Sequence, residues 1–470
     1  MKGPPVEKWG DKLSELQAAV QGPVETERTL GYTQEVAVFN TAVQHRPAVV
    51  VGAASAGDVS TAVTFAARHG LKIAVLNTGH GPSLAADGDT LMITTRRMSG
   101  IAINAETRLA RVDAGVRFGA LVEAAAEYGL APLPGSSPGV GVVGYTLGGG
   151  ASLTMGRKYG WAADHVTRID VVTGDGQLRR VSPHSEADLF GALLGGKGNF
   201  GVVTAMEFSL FPVTTLYAGS ILYSGRHARH VLDAYRELTA TAPDELSTSL
   251  ALLNLPPLPG LPPFMQGQLT ISLRVSFAGD DAVGARLIDS MRQVAPALAD
   301  TVRSMPYTEF ASISNDPTDP AAAVEHFGLL RELTQDTVAA IVDVVGPDSG
   351  SPINIVDIRH LQGAFGKPAP FPNAVGARDA AFAFFGLTVV PPGHDAVHRM
   401  HCGSGLLTAL KPWLHELASP SFQGPSDATE ERARKAYEPR VYDRLRVVKT
   451  KYDPHNRFRL NHNIPPHGAG

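Results

Sequence analysis

One cysteine, Cys402, stands among 470 residues. An intramolecular disulfide is thereby excluded, and so is a metal cage built from several thiolates. Long apolar runs are missing too: no stretch approaches the roughly 18 residues that a membrane-spanning helix needs. Nor is charge of one sign in excess. The 41 Lys and Arg nearly balance the 45 Asp and Glu, leaving a net charge of −4. That balance argues against a nucleic acid or an anionic membrane as partner. The opening "MKGPPVEKWGDKLSELQAAV" lacks the apolar core of a signal peptide. A cytoplasmic, bacterial protein is the expectation. What is plentiful is material for a packed interior, with 44% apolar against 18% charged residues, a balance that disfavours disorder. The length predicts two or three domains.

Residues 47 to 80 read as β-α-β. "PAVVVGA" is a short apolar strand. Ser55 and Asp58 form a capping box, Val59, Ala62, Val63 and Ala66 recur at helical spacing, and Gly70 suits the position just past a helix end. "LKIAVL" then runs into the turn Asn77-Thr78-Gly79-His80-Gly81. Further strands are expected at "TLMITT", "ARVDAGV" and Val166–Thr173, with a helix at about 119–128 and a hairpin turn at Gly174-Asp175-Gly176. From about Val213 proline-rich connectors separate strands such as "LTISLRVSF" and "INIVDIRHL" from helices at about 280–293 and 331–342. The tail beyond about Ala428 is a charged helix followed by "KYDPHNRFRLNHNIPP".

"GSSPGVGVVGYTLGGG", residues 135–150, contains a literal G-x-G-x-x-G. A dinucleotide fingerprint of this kind follows a strand and opens a helix. Here Pro134 and Pro138 argue against the strand and three consecutive glycines against the helix. Asp164 stands at the distance of a ribose-binding acid but follows no second strand. Two other readings stand beside it: glycines serving tight turns, and a cradle whose backbone approaches a flat or phosphorylated ligand.

In order along the chain, these segments resemble the vanillyl-alcohol-oxidase type of FAD-binding family, in its berberine-bridge-enzyme-like branch. "PAVVVGAASAGDV" is similar to the family's first β-α unit, "NTGHG" to its pyrophosphate loop, and "GSSPGVGVVGYTLGGG" to its second flavin segment. "KYGWAADH", "GGKGNFGVV" and "KYDPHNRFRLNHNI" supply three more matches. The resemblance implies an α+β fold: a two-part PCMH-type FAD-binding domain, residues 1–212 and 428–470, with a substrate domain, residues 213–427, inserted as an antiparallel sheet covered by helices. It implies FAD bound covalently through the 8α-methyl to His80. Around it would lie Leu76, Asn77, Thr78, Gly79, Gly81 and Ser83 from the first loop. Gly135, Ser136, Ser137, Gly141, Val143, Gly144, Tyr145, Gly148, Gly149 and Gly150 would come from the second. Ala163, Asp164, Asn199, Gly201, Val202, Val203, Asn461 and Asn463 complete the set.

Two positions depart from the family pattern. Ser137 stands where doubly linked members have cysteine, leaving His80 as the single tether. Ser419-Pro420-Ser421 stands where the family has Tyr-x-Asn, so the tyrosine that commonly helps deprotonate substrate is absent. On a strand, Asp357 and Arg359 share one face. Asp357 is the first candidate base, Arg359 its partner or an anchor for an anionic substrate, and Tyr145 a possible pocket residue; Tyr437 and Tyr442 are weaker candidates. A rival grouping, His394, His398 and His401 beside Cys402, has helical spacing but lacks H-E-x-x-H, and no metal is expected. The resemblance implies an oxidoreductase acting on a C–OH, C–N or activated C–H bond of a small natural-product-like molecule, with O2 as acceptor. The alternatives are a flavin-N5-oxide oxygenase, a non-redox cyclase and a ligand-sequestering flavoprotein.

Overall fold

Four consecutive apolar or small residues, Val49–Gly52, are all buried, as a strand covered on both faces requires. The computed structural model describes residues 10–468 apart from 82, 258 and 392–403. The grouping of His394, His398, His401 and Cys402 lies outside the described residues. The first sheet comprises β1 (Val24–Glu25), β2 (Val49–Gly52), β3 (Lys72–Leu76) and β4 (Thr90–Thr94), in the order β1-β2-β4-β3. β2 and β3 each pair parallel with β4. Between β2 and β3 runs the helix Ala56–His69; Ser55 Oγ accepts the Asp58 N–H, and Gly70 closes the helix at φ +68°.

The second sheet is antiparallel: β5 (Ile101–Asn104), β6 (Leu109–Asp113), β7 (Val166–Val172), β8 (Leu178–Val181) and β9 (Val202–Ser209), in the order β5-β6-β9-β7-β8. The turn joining β7 to β8 carries Gly176 at φ +77°, where the hairpin was expected. Against this sheet packs the helix Pro439–Tyr452, whose Tyr442, Leu445, Val448 and Tyr452 join the same core as Ala110, Ile169 and Met206.

The third sheet has eight strands: β10 (Thr215–Ser224), β11 (Leu246–Asn254), β12 (Leu269–Phe277), β13 (Ala297–Asp300), β14 (Arg303–Pro306), β15 (Ala323–Leu330), β16 (Ile355–His360) and β17 (Phe382–Val389). Its order is β13-β10-β12-β11-β16-β17-β15, with β14 also on β10, and every pairing is antiparallel. Period-two alternation divides its faces. Leu250, Leu252, Ile271, Leu273, Val356, Ile358 and Phe384 form one core with Val231 and Val338 of the helices Ala228–Thr241 and Gln335–Val345. The opposite face sends Leu329, Leu361 and Ala383 into the core of the second sheet. It therefore faces the glycine-rich segments.

Three expectations are corrected. A six-residue helix, Val142–Leu147, opens directly after Gly141, so the glycines do not forbid a helix there; residues 132–140 hold no strand, which still separates the segment from a dinucleotide fingerprint. The helix expected at 280–293 is two, Asp281–Leu287 and Asp289–Val294, parted at Ile288 with φ −102° and ψ +5°. The helix expected at 331–342 runs from Gln335 to Val345, because Thr334 caps it by accepting the Thr337 N–H. Among the described residues no helix is long and apolar enough to cross a membrane.

Candidate functional site

The turn after β3 and the glycine segment meet face to face. A Cβ on Gly139 would lie 3.5 Å from His80 Nε2 and 3.6 Å from Ser137 Oγ, and one on Gly141 would strike Asn77 Nδ2 at 2.6 Å. A side chain at 141 would have to displace the Asn77 amide. Asn77 Nδ2 donates to Ala114 O and the Asn77 carbonyl accepts from Arg96 Nε. Gly79 adopts φ +72°, and its N–H-side neighbours are fixed by Phe39 N–H to Thr78 O and Asn40 N–H to Gly79 O. Phe39 stacks on the His80 ring at 3.9 Å. Burial, assisted by the charge of Arg117, drops the His80 pKa to about 4, so the imidazole is neutral at ordinary pH. Ser83 Oγ donates to Leu460 O, which ties this loop to the C-terminal segment, while Gly81 and Gly144 have nothing within 4 Å of a Cβ.

Tyr145 fills the other side of the glycine run. Its ring meets Phe118 edge-on at 5.0 Å and would contact a Cβ at Gly135 or Gly150. Burial pushes its hydroxyl far above the ordinary tyrosine pKa, and that hydroxyl has no hydrogen-bond partner. Tyr145 can donate a hydrogen bond but is a poor base. A Cβ on Gly148 would meet Ser421 Oγ at 3.2 Å and Lys197 Cε at 3.5 Å, and Gly149 stands at φ +118°. Ser421 Oγ donates to Gly148 O at 2.6 Å, so the serine at the Tyr-x-Asn position clamps the glycine run.

Several residues expected at the cofactor also have partners within the protein. Asn199 spends its amide on the C-terminal segment, donating to His462 O at 3.2 Å and accepting from Ile464 N–H at 2.9 Å. Beneath it the buried Lys449 Nζ donates to Asn199 O, Phe458 O and Asp453 Oδ2. Asp164 is held by both terminal nitrogens of Arg378, each at 2.8 Å, and by Asn373. Leu76, Val143, Ala163, Val202 and Val203 are buried in the cores, and a Cβ on Gly201 would strike Val172 O. Tyr437 donates to Gly195 O and packs with Tyr442 in the core. Ser136 and Ser137 stay half-buried at the loop surface. Asn461 and Asn463 behave differently: both Oδ1 atoms are buried without a hydrogen-bond partner, as is Asn77 Oδ1.

Between the end of the glycine run and the eight-stranded sheet lies a narrow recess. Ala151 and Trp161 wall it on one side, and Phe327, Leu329, Leu361 and Arg359 on the other, with Ser419 at its edge. Asp357 and Arg359 do share a face, as expected, and are bonded: Arg359 Nε donates to Asp357 Oδ2 at 2.8 Å. A third residue, Arg274, which the sequence reading passed over, brings Nη1 to 3.3 Å from the same oxygen. Burial would raise the Asp357 pKa, but the Arg359 and Arg274 guanidiniums hold it below the usual carboxylate value. A carboxylate stabilised in its charged form by two cations is a weak proton acceptor. Arg274 also reaches Asp316 at 3.8 Å. A lone arginine inside the apolar "LTISLRVSF" was the available signal. Also passed over were Lys197, whose Cε lies 3.5 Å from a Cβ built on Gly148, and Glu325, two residues before Phe327 on β15.

Comparison with known proteins places this geometry. Residues 47–182 match the family model described as FAD binding domain, and residues 421–465 match that described as berberine and berberine like. The chain thus carries both an FAD binding domain match and a berberine-like match, and it is similar to FAD-linked oxidoreductases. It is 27% identical over 469 residues to (R)-6-hydroxynicotine oxidase of Paenarthrobacter nicotinovorans, covering 96% of this chain and 98% of that one. The crystal structure of 6-hydroxy-D-nicotine oxidase from Arthrobacter nicotinovorans superposes with a TM-score of 0.82 at 26% identity, covering 95% and 98% of the two chains. A chitooligosaccharide oxidase shares the fold, with a TM-score of 0.83 at 20% identity, covering 97% and 99%.

The residues of this site fit FAD. The glycine cradle has room where Gly81 and Gly144 lack neighbours, and the buried Oδ1 atoms of Asn77, Asn461 and Asn463 need donors that ribose, ribityl and flavin N–H or O–H groups carry.

Proposed function

We propose that this flavoprotein is an oxidase of a small organic molecule. It would break a C–N, C–OH or activated C–H bond, pass the electrons to O2, and hold FAD through one covalent bond from His80. The observation that carries the reading is the recess. Its walls combine Trp161, Phe327, Leu329, Leu361 and Phe365 with Arg359, His360 and Ser419, and it abuts the end of the glycine run. When bound, FAD supplies a two-electron acceptor. The chain would cradle it with the 77–81 and 135–150 loops and with Asn461 and Asn463, while residues 213–427 shape the substrate wall.

His80 supports a single tether. Its neutral imidazole has an available nitrogen pair, with no hydrogen bond among the described residues, and the neighbouring Ser137 offers no thiol. The relative's name makes a cyclic amine the first compound to try. Purified protein precipitated with acid should give a yellow pellet, and His80→Ala a colourless one with FAD in the supernatant. A colourless wild-type pellet removes the covalent claim, and protein without flavin removes the whole reading. Anaerobic bleaching of the flavin by 6-hydroxynicotine or a related amine or alcohol, with H2O2 formed when air is admitted, separates an oxidase from a cyclase or a sequestering protein.

A further inference from the structure

Resting on the oxidase reading, we infer that Glu325 accepts the O–H or N–H proton of the substrate and that Lys197 positions it from across the cleft. The sheet register places Glu325. Arg359, Ala383 and Leu329 form one cross-strand row, Asp357, Phe385 and Phe327 the next, and Ile355, Leu387 and Glu325 the third. Residues i and i+2 share a face, so Glu325 points the same way as Phe327 and Leu329, which wall the recess. Two residues before it, Ala323 is clamped by Asn40, which accepts the Ala323 N–H and donates to the Ala323 carbonyl, and the Asn40 N–H bonds to Gly79 O. Glu325 therefore stands on the cleft face, roughly 7 Å along the strand from Ala323 on one side and from Phe327 on the other.

The opposite wall carries Lys197. It sits at φ +55° between two glycines, a conformation costly for any side chain but glycine, and its Cε reaches Gly148 and the Ser421 clamp. Neither side chain has a hydrogen bond or ion pair among the described residues. The two charges nevertheless sense each other: burial lifts the Glu325 pKa to about 7 against the pull of Lys197, and burial drops that of Lys197 to about 8 against Asp427 and Glu325. The other groups at this end are occupied. Asp427 accepts from Arg432 and from the Gly424 N–H, and the neutral His462 bonds to Gly424 O.

A facing cation and carboxylate, held apart, leave room for a group carrying a transferable proton. Substrate oxidation breaks one C–H and one O–H or N–H bond and forms C=O or C=N. The hydride passes to the cofactor and the proton to Glu325, which releases it to water; O2 takes up two electrons and two protons and leaves as H2O2.

The test is a pH titration of the visible flavin spectrum of the purified holoenzyme, without substrate, in wild type, Glu325→Gln and Lys197→Met. Wild type should show a transition near pH 7. It should vanish in Glu325→Gln and move up by about one unit in Lys197→Met, which removes the cation favouring the carboxylate. A wild-type spectrum without that transition, or a transition that survives in Glu325→Gln, overturns the proposal; if Glu325→Gln does not fold, an unmoved midpoint in Lys197→Met does the same. With any amine or alcohol that bleaches the wild-type flavin, Glu325→Gln should slow bleaching about 100-fold at pH 8 with flavin content retained, and an undiminished rate overturns the proposal. Absence of flavin from all three proteins instead sinks the oxidase reading.

Discussion

Two carboxylates on one sheet face are built in opposite ways. Asp357 lies between Arg274 and Arg359, and its charge is stabilised on the spot. Glu325, two strands away on the same face, has a cation in view but none in contact, and burial dominates. The difference teaches that a carboxylate near a cofactor cleft is not thereby a base. What decides is whether its charged form has already been satisfied. Asp357 holds the sheet face together; Glu325 is left with chemistry to do.

Breaking the arginine side should have the largest effect on stability. Asp357→Ala leaves two buried guanidiniums facing one another, and removing one member of a buried ion pair costs about 3–5 kcal/mol. Thermal unfolding should show a large fall in Tm. Since its folded pKa is depressed, the contribution of Asp357 is present above the ordinary aspartate pKa and lost as pH falls through its lower folded value, so wild type and variant should converge in acid.

Glu325 should show the reverse sign. Its folded pKa is raised from 4.5 to about 7, so wild type is fully stable below the unfolded value and loses stability as pH rises toward 7. Glu325→Gln should match wild type at pH 4.5 and exceed it at pH 8, by about 3 kcal/mol at most. Equal melting curves at both pH values would erase the contrast between the two carboxylates. The smallest effect belongs to Ser421→Ala, which loses one hydrogen bond to Gly148 O. About 1 kcal/mol is expected, together with a shifted Lys197→Met titration if Ser421 and Lys197 share the Gly148 corner.

The parts of the site made of backbone were legible in the chain. Gly79, Gly139 and Gly141 announce close approach because a glycine's meaning is local, and His80 and Ser137 lie inside the same short segments. The helix capped by Ser55 and closed by Gly70 was legible for the same reason. Lys197 and Glu325 were not, because their significance is a relation between a loop and a strand far apart in the chain, set by sheet register. The bonds that Asn199 makes with Ile464 and Asp164 with Arg378 were not legible, because an amide and a carboxylate look alike in sequence whether they face a ligand or bind the chain to itself.

The stitch between Asn199 and the C-terminal segment sets an order of events during synthesis. Asn77 and His80 leave the ribosome early, while Asn461, Asn463 and the Lys449–Asp453 pair that seats them come last. At about 5–20 residues per second the two halves of the cradle are separated by roughly 20–80 s. The first sheet waits as well, since Phe458 completes its core and Arg457 O accepts the Ile73 N–H. Completion of both sheet cores and of the cradle is therefore a late event, and a chain lacking the final segment should be both colourless and destabilised.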